Sequence, residues 1–351
     1  MTRQIQESVR LLPRAPDPRF GPLAGLLSDA AVTDVLVNGA QQVWVDRGAG
    51  LERVRAAFGG EADLRSLAVR LVNTAGGRLD DACPCADAVL AGGVRVHAVL
   101  HPVAAGGTAL SLRLPRRTPF RLADLVTAGT LPAAVVPWLD AIVAARLSFV
   151  VSGASGSGKT TLLTSLLGRV PGDERLVLVE DLPEIEPSHP HVVRLTGRAA
   201  NIEGAGAIGL RELVRQALRM RADRLVVGEA RGAEVVDLLG ALNTGHDGGA
   251  TTLHANTAGA VPARLEALAA TAGLSRAALH SQLAVAVQAV LHLRRDADGT
   301  RRLTEIAIPR RPVDGWVAMV PALRMTAGGM QPDAGAAELR AVLAERGVTA
   351  P

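Results

Sequence analysis

The stretch from Phe149 to Thr161, F-V-V-S-G-A-S-G-S-G-K-T-T, constrains the fold of this chain more than any other. An apolar run of strand character stops at a loop with glycine at 153, 156 and 158, and T-T-L-L-T-S-L-L then continues at once with helical character. A strand–loop–helix unit of this kind needs a parallel neighbour to return to. Near-continuous apolar runs at 147–152, 175–181, 192–196, 224–229 and 250–254, separated by helical segments, supply the neighbours. Strands apolar on both faces predict a largely parallel sheet covered by helices on both sides. A helix-rich segment over 257–287 and two or three further strands to about 320 complete that domain.

The glycine spacing has a chemical meaning. Gly153-Ala154-Ser155-Gly156-Ser157-Gly158-Lys159-Thr160-Thr161 follows the P-loop pattern. Its glycines let the backbone curl so that N–H groups point at phosphate oxygens, the lysine reaches the β- and γ-phosphates, and the Thr160 hydroxyl faces Mg²⁺. Composition sharpens this reading. Of 38 basic residues only Lys159 is lysine, so arginine has replaced lysine wherever charge alone sufficed. A compact ammonium on a flexible stem is what guanidinium cannot imitate.

Partner residues decide what is done with a bound nucleotide. L-V-L-V-E-D-L-P-E-I-E places Glu180, Asp181 and Glu184 past the end of the next strand, where a parallel sheet presents its loops to ligand. These carboxylates are candidates to order Mg²⁺ and its waters, Glu180 and Asp181 with Thr160 as metal-site residues. The apolar run within R-L-V-V-G-E-A-R-G ends in Gly228-Glu229. Gly228 stands where many P-loop enzymes carry a metal-holding aspartate, which leaves Glu229 as the candidate to polarise water. In T-G-H-D-G-G-A-T-T-L-H-A-N, His246 and His254 bracket a strand; without a third ligand nearby they suit a γ-phosphate sensor better than a metal site.

The amino-terminal part has a different texture. V-T-D-V-L-V-N-G and Q-V-W-V-D-R read as a hairpin, 61–75 as a helix buried through Leu64, Leu67, Ala68 and Leu71, and 93–100 and 108–114 as short strands. The predicted organisation is an extension (1–30), an α+β domain (31–113), a Pro/Arg linker (114–120), a P-loop domain (121–322) and a tail with one short helix (323–351). Cys83-Pro-Cys85 with His97 and His101 superficially resembles a zinc site, but one residue between cysteines is too short for the usual pattern. Arg211, Arg215 and Arg219 recur every four residues and read as a solvated helix face. Seven aromatics and diffuse arginines argue against a nucleic-acid binder built on stacking, and the excess of four basic over acidic residues is too small to name a partner. Neither a signal peptide nor a transmembrane segment is visible, which predicts a cytoplasmic protein.

The ordered set G-A-S-G-S-G-K-T-T, V-E-D-L-P-E-I-E, L-R-M-R-A-D-R-L-V-V-G-E-A-R-G-A-E and T-G-H-D-G-G-A-T-T-L-H-A-N resembles the secretion-ATPase superfamily of type II and type IV systems. Within it the chain is similar to the tight-adherence (Flp) pilus ATPases, the TadA/CpaF branch, close to the conjugal-transfer ATPases, over roughly residues 30 to 320. The resemblance implies a RecA-like P-loop domain after a smaller α+β domain and Mg-dependent hydrolysis of ATP. It also implies a homo-hexameric ring on the inner face of the cytoplasmic membrane, working with pilus or secretion platform proteins. It makes Glu229 the catalytic glutamate and Glu180, Asp181 and Glu184 the acidic box. Arg95 and Arg113 match the positions from which the family's amino-terminal domain reaches the phosphates. No cysteine follows Cys85, which argues against the branches with a four-cysteine zinc module. The competing reading is a DNA-associated ATPase of conjugal transfer.

Overall fold

The structure, a computed structural model, describes residues 16–48, 50–55, 58–115, 119–198, 205–312, 315–326 and 328–351. The chain divides into two units, one ending at Thr118 and the other beginning at Pro119, so the division falls within 114–120. Residues 1–15 of the expected extension and 116–118 of the expected linker lie outside the described residues.

The first unit is an antiparallel sheet with one long helix against it. Strands β1 (Asp34–Asn38), β2 (Val43–Asp46), β3 (Leu51–Val54), β4 (Cys85–Val89), β5 (Arg95–Val99) and β6 (Ala109–Arg113) pair in the order β3-β2-β1-β6-β5-β4. Val35, Val37, Val43 and Val45 alternate inward, as a half-buried hairpin requires. Helices α1 (Ala24–Ser28) and α2 (Glu61–Thr74) precede and follow the first three strands, and α2 buries Leu64, Leu67, Ala68 and Leu71. Each of the three leucines contributes about 1.5–3 kcal/mol when fully buried. Gly39, at φ +71°, has no room for a Cβ, which would lie 2.7 Å from the Gly106 carbonyl oxygen. Phe20, Leu23 and Leu27 also enter this core, so the later part of the expected extension belongs to the unit. Strand β4 was not expected; Cys85, Ala86 and Asp87 give it no apolar alternation, and pairing with β5 holds it in place.

The second unit carries a nine-stranded sheet. Its strands are β7 (Phe149–Gly153), β8 (Leu176–Glu180), β9 (Val192–Thr196), β10 (Arg224–Val227), β11 (Ala250–His254), β12 (Ala289–Arg295), β13 (Arg301–Arg310), β14 (Ala318–Thr326) and β15 (Gly329–Pro332). They pair in the order β15-β14-β13-β12-β7-β11-β10-β8-β9, parallel from β12 to β9 and antiparallel from β12 to β15. On one face lie α3 (Leu122–Thr127), α4 (Val136–Ala144), α5 (Lys159–Leu167) and, from the carboxyl end, α10 (Ala336–Glu345). On the other lie α6 (Leu210–Ala217), α7 (Glu234–Leu242), α8 (Val261–Ala270) and α9 (Arg276–Ala286).

Two expectations are corrected. A tail was predicted from 323, yet β14 runs through that position, β15 extends the sheet, and Leu339 and Leu343 of α10 sit in the core with Leu323. Gly328 and Gly329 lie where β14 gives way to β15 within the sheet, so the Gly-rich break is not the end of the domain. The arginine face of α6 is not simply solvated: Arg211 and Arg215 both donate to Asp237 of α7, at 2.6 and 2.9 Å.

Candidate active site

The carboxyl ends of β7, β8, β10 and β11 converge at one edge of the second sheet. β7 is fully buried and passes at Gly153 into the glycine loop. A Cβ on Gly153 would lie 2.4 Å from the Leu293 carbonyl oxygen and 2.5 Å from Ser157 Oγ, so the tight exit from the strand requires glycine. Gly156 and Gly158 adopt left-handed φ of +69° and +96°, and Gly158 is the residue from which α5 starts. Ala154, Ser155 and Gly156 are exposed, Ser157 is buried, and Thr160 and Thr161 open the first turn of the helix.

Lys159 is only 7% exposed. Its Nζ donates to the Ala154 carbonyl at 2.9 Å and lies 3.4 Å from His254 Nδ1. The same carbonyl receives a long bond from Ser157 N, 3.4 Å, so the loop satisfies itself through groups that a phosphate would engage. Burial pushes the Lys159 ammonium below its usual range; Glu229 and Glu184 oppose this and Arg231 adds to it.

Glu229 sits two residues beyond the end of β10, where the backbone is anchored on both sides. Gly228 N donates to the Val179 carbonyl, Thr252 Oγ1 donates to the Gly228 carbonyl, and Ala230 N donates to the Thr252 carbonyl. One Glu229 oxygen accepts from Arg231 at 2.5 Å; the other lies 2.7 Å from His254 Nε2, close but without hydrogen-bond alignment. Burial first, then the Lys159 charge, hold His254 below its ordinary range, so near neutrality it is an uncharged imidazole.

The acidic segment divides its labour differently from the expectation. Glu180 is 4% exposed and accepts from Glu184 N at 2.9 Å and Ile185 N at 3.0 Å. Burial pushes its carboxyl up to about 7 against the pull of those two N–H groups. A Cβ on Gly228 would meet Glu180 Cγ at 2.8 Å, so glycine at 228 is the space that Glu180 fills. Glu180 is therefore the buried anchor of the turn, and Glu184 is the carboxylate turned to the P-loop, 3.4 Å from Thr160 Oγ1. Asp181 is exposed; desolvation raises its carboxyl and the Arg231 charge lowers it. Among the described residues no group of three His, Cys, Asp or Glu side chains could hold a metal by itself. The donor set, a threonine hydroxyl with one carboxylate beside it, fits a cation that keeps waters and phosphate oxygens as most of its ligands.

The two histidines do not form one site. His254 ends β11 at the P-loop edge, but His246 precedes the strand's other end, beside Gly249 and the start of β10. Roughly 15 Å of strand separates those edges at about 3.3 Å per residue, so the γ-phosphate pairing of His246 with His254 is corrected. Arg95 and Arg113 belong to the first unit, directly opposite each other on β5 and β6, and Arg113 donates to Asp34 at 2.9 Å. Cys83 is half-buried, Cys85 is exposed, both are free, and His97 pairs with Asp87 at 2.8 Å.

Two residues at the loop escaped sequence reasoning. Arg295 and Arg301 face each other across β12 and β13. Arg301 Nε donates to the Gly156 carbonyl at 2.9 Å, and Arg295 Nη1 lies 3.5 Å from where a Gly156 Cβ would be. Their signal, arginine pairs flanking D-A-D-G-T, is hidden in a chain that uses arginine everywhere.

The family described as Type II/IV secretion system protein matches residues 18–315. A Mycobacterium tuberculosis protein whose name places it in conjugal transfer, Rv3659c, is 57% identical over 297 residues, covering 83% of this chain and 84% of its own. Conjugal transfer protein TrbB of Rhizobium radiobacter is 31% identical over 310 residues, covering 86% and 91%. The fold is also that of the Legionella pneumophila ATPase DotB, TM-score 0.55 at 20% identity over 91% of this chain and 85% of that one. It is similar as well to the pilus retraction motor PilT with bound ADP, TM-score 0.57 at 18% identity over 91% and 84%.

Proposed function

The chain belongs to the type II/IV secretion system protein family, and from that membership we propose that it is a Mg-dependent ATPase. In this reading it works as a homo-hexameric ring at the inner face of the cytoplasmic membrane and powers Flp-type pilus assembly or protein secretion through platform proteins there. The observation that carries hydrolysis is the placement of Glu229 at the end of β10, within reach of His254 and beside the buried Lys159. No helix among the described residues is long and apolar enough to cross a membrane.

The chain's own groups divide the work. Backbone N–H groups of Gly153 to Thr161 cradle the phosphates, and Lys159 exchanges its bond to the Ala154 carbonyl for phosphate oxygens. Thr160, with Glu184 and Asp181 nearby, would hold Mg²⁺, which supplies neutralisation of phosphate charge when bound. Glu229 orients the attacking water and accepts its proton, while neutral His254 lies against the lysine, where the γ-phosphate end would lie. Arg95 and Arg113 are the first unit's candidates to add cationic charge to the phosphates. Purified protein should hydrolyse ATP with Mg²⁺, and Glu229→Gln should keep nucleotide while losing roughly 10²–10⁴ of turnover. Turnover in that variant equal to wild type would remove Glu229 from the reaction.

The names of the two relatives favour a second reading, an ATPase of conjugal DNA transfer. Stimulation of hydrolysis by DNA at physiological salt, absent with other polyanions, would select it. The proposed pilus or secretion motor is indifferent to DNA.

A further inference from the structure

The hairpin of β12 and β13 carries Arg294, Arg295, Arg301 and Arg302 beside its turn, and their surroundings sort them into two pairs. Arg294 lies opposite Arg302, and Arg295 opposite Arg301. Arg294 and Arg302 both donate to Asp296, at 2.8 and 3.0 Å. Strand alternation puts Arg301 on the other face, with Leu303, which shares a core with Leu162, Leu163 and Leu166 of the P-loop helix α5. The turn that supports Arg301 is closed by its own bonds. Asp296 N donates to the Thr300 carbonyl, Gly299 N to the Asp296 carbonyl and Thr300 N to Asp298 Oδ1, at 2.8, 3.0 and 2.9 Å. Leu293 stands in register with Gly153 of β7, so the hairpin grows directly beside the strand that enters the P-loop.

From that support Arg301 Nε reaches the Gly156 carbonyl at 2.9 Å. In a trans peptide the carbonyl and the next N–H point to opposite sides, so a Gly156 oxygen drawn out to the hairpin turns Ser157 N–H into the loop. Ser157 N accordingly donates across the loop, at a long 3.4 Å, to the Ala154 carbonyl that Lys159 Nζ also engages. Gly156 is exposed, at φ +69° and without a Cβ, so its own conformational preference does not hold that peptide in place. We infer that Arg301 is a positioning residue that holds the Gly156 carbonyl outside the P-loop and so keeps Ser157 N–H turned to the phosphate seat before nucleotide arrives. It acts through the loop backbone. The inference rests on the ATPase reading for its ligand, and it also makes a claim about the nucleotide-free protein.

A loop that is correctly turned for only a fraction of the time binds with its affinity reduced by that fraction. Arg301→Met keeps the stem and loses the donors. In that variant the association of Mg-ADP, followed by stopped flow with a methylanthraniloyl-labelled ADP, should slow by about 5–20-fold while dissociation stays within about twofold of wild type. KM for ATP should rise by about the same factor, with kcat within about threefold. In the nucleotide-free protein, amide exchange over 154–158 should quicken, and the difference should vanish under saturating Mg-ADP. Arg302→Met removes the same charge one residue away and leaves the Gly156 bond intact, so it should match wild type. Faster dissociation with unchanged association would mean that Arg301 grips the nucleotide itself, and equal slowing in Arg302→Met would mean that only charge counts. Either result overturns the inference. So would wild-type binding and exchange in Arg301→Met, whatever its melting temperature. Quicker exchange in Arg301→Met of a protein whose wild type binds no Mg-ADP would support the brace and remove the ATPase reading.

Discussion

Gly228 offers the sharpest test of how this site is assembled. Its φ lies outside the left-handed region, so alanine at 228 carries no backbone strain, and the only obstacle is the Glu180 side chain. A Cβ would sit 2.8 Å from Cγ and 3.2 Å from Oε1, where ordinary contacts begin near about 3.5 Å. The carboxyl must therefore move by several tenths of an ångström. It cannot do so without stretching its bonds from Glu184 N and Ile185 N, now 2.9 and 3.0 Å. Overpacking costs about 1–3 kcal/mol and the two weakened bonds about 1 kcal/mol each, so Gly228→Ala should lose roughly 3–5 kcal/mol. At about 2–4 °C per kcal/mol for a unit of this size, the melting temperature should fall by roughly 6–20 °C. Without the Glu180 side chain the sign reverses. On a Glu180→Ala background the same change should be neutral or stabilise by about 0.4–1 kcal/mol, because alanine restricts the unfolded chain. Denaturant unfolding of the four proteins of the cycle measures the coupling, and equal costs on both backgrounds would falsify the pairing of Gly228 with Glu180.

Glu180 also predicts a pH effect. Its folded pKa near 7 lies above the ordinary 4.5, so the stability it confers is complete below about pH 4.5 and is lost as pH rises through 7. Wild type should lose a few kcal/mol relative to Glu180→Gln between about pH 5 and 8, and parallel stability curves would contradict the assignment. Because Lys159 is the only lysine, an amine-acylating reagent should label it and the amino terminus, and Mg-ATP should shield Lys159 alone; equal labelling with and without nucleotide, read by peptide mass, would refute its placement at the phosphates. Arg95→Ala and Arg113→Ala should each lower hydrolysis per subunit by up to about 10³-fold, and wild-type activity per subunit should climb with protein concentration; a flat profile with unchanged variants would remove both arginines from the reaction.

Much of this was legible without coordinates because local chemistry dictated it. Strand runs such as L-V-L-V-E and R-L-V-V carry a parallel sheet in their composition, and the glycine loop carries its strand–loop–helix turn in its spacing. What escaped depends on which end of a strand a residue occupies and what stands beside it. His246 and His254 are eight residues apart in sequence, yet one extended strand puts them at opposite edges of the sheet. Glu180 and Glu184 look alike in sequence; only the turn that folds Glu184 N and Ile185 N back onto Glu180 gives one a buried anchoring role and leaves the other facing Thr160. β4 and β15 carry too little apolar alternation to announce themselves and depend on their neighbours' ladders.

β11 is hydrogen-bonded to β7 through all five of its residues and to β10 at Ala250 and Thr251. A strand held on both sides cannot slide by a fraction of a residue, and a full step would turn its side chains to the opposite face. At its far end the loop carrying His246 is clasped by Arg346 at the end of α10, which meets Asp247 at 2.6 Å. Mechanically the strand is an anvil rather than a piston. A push from the phosphate end at His254 meets a stop that does not yield, so force is reflected into the loops around the nucleotide. In the proposed motor those loops, and not the opposite margin of the sheet, are where a stroke would have to leave the domain.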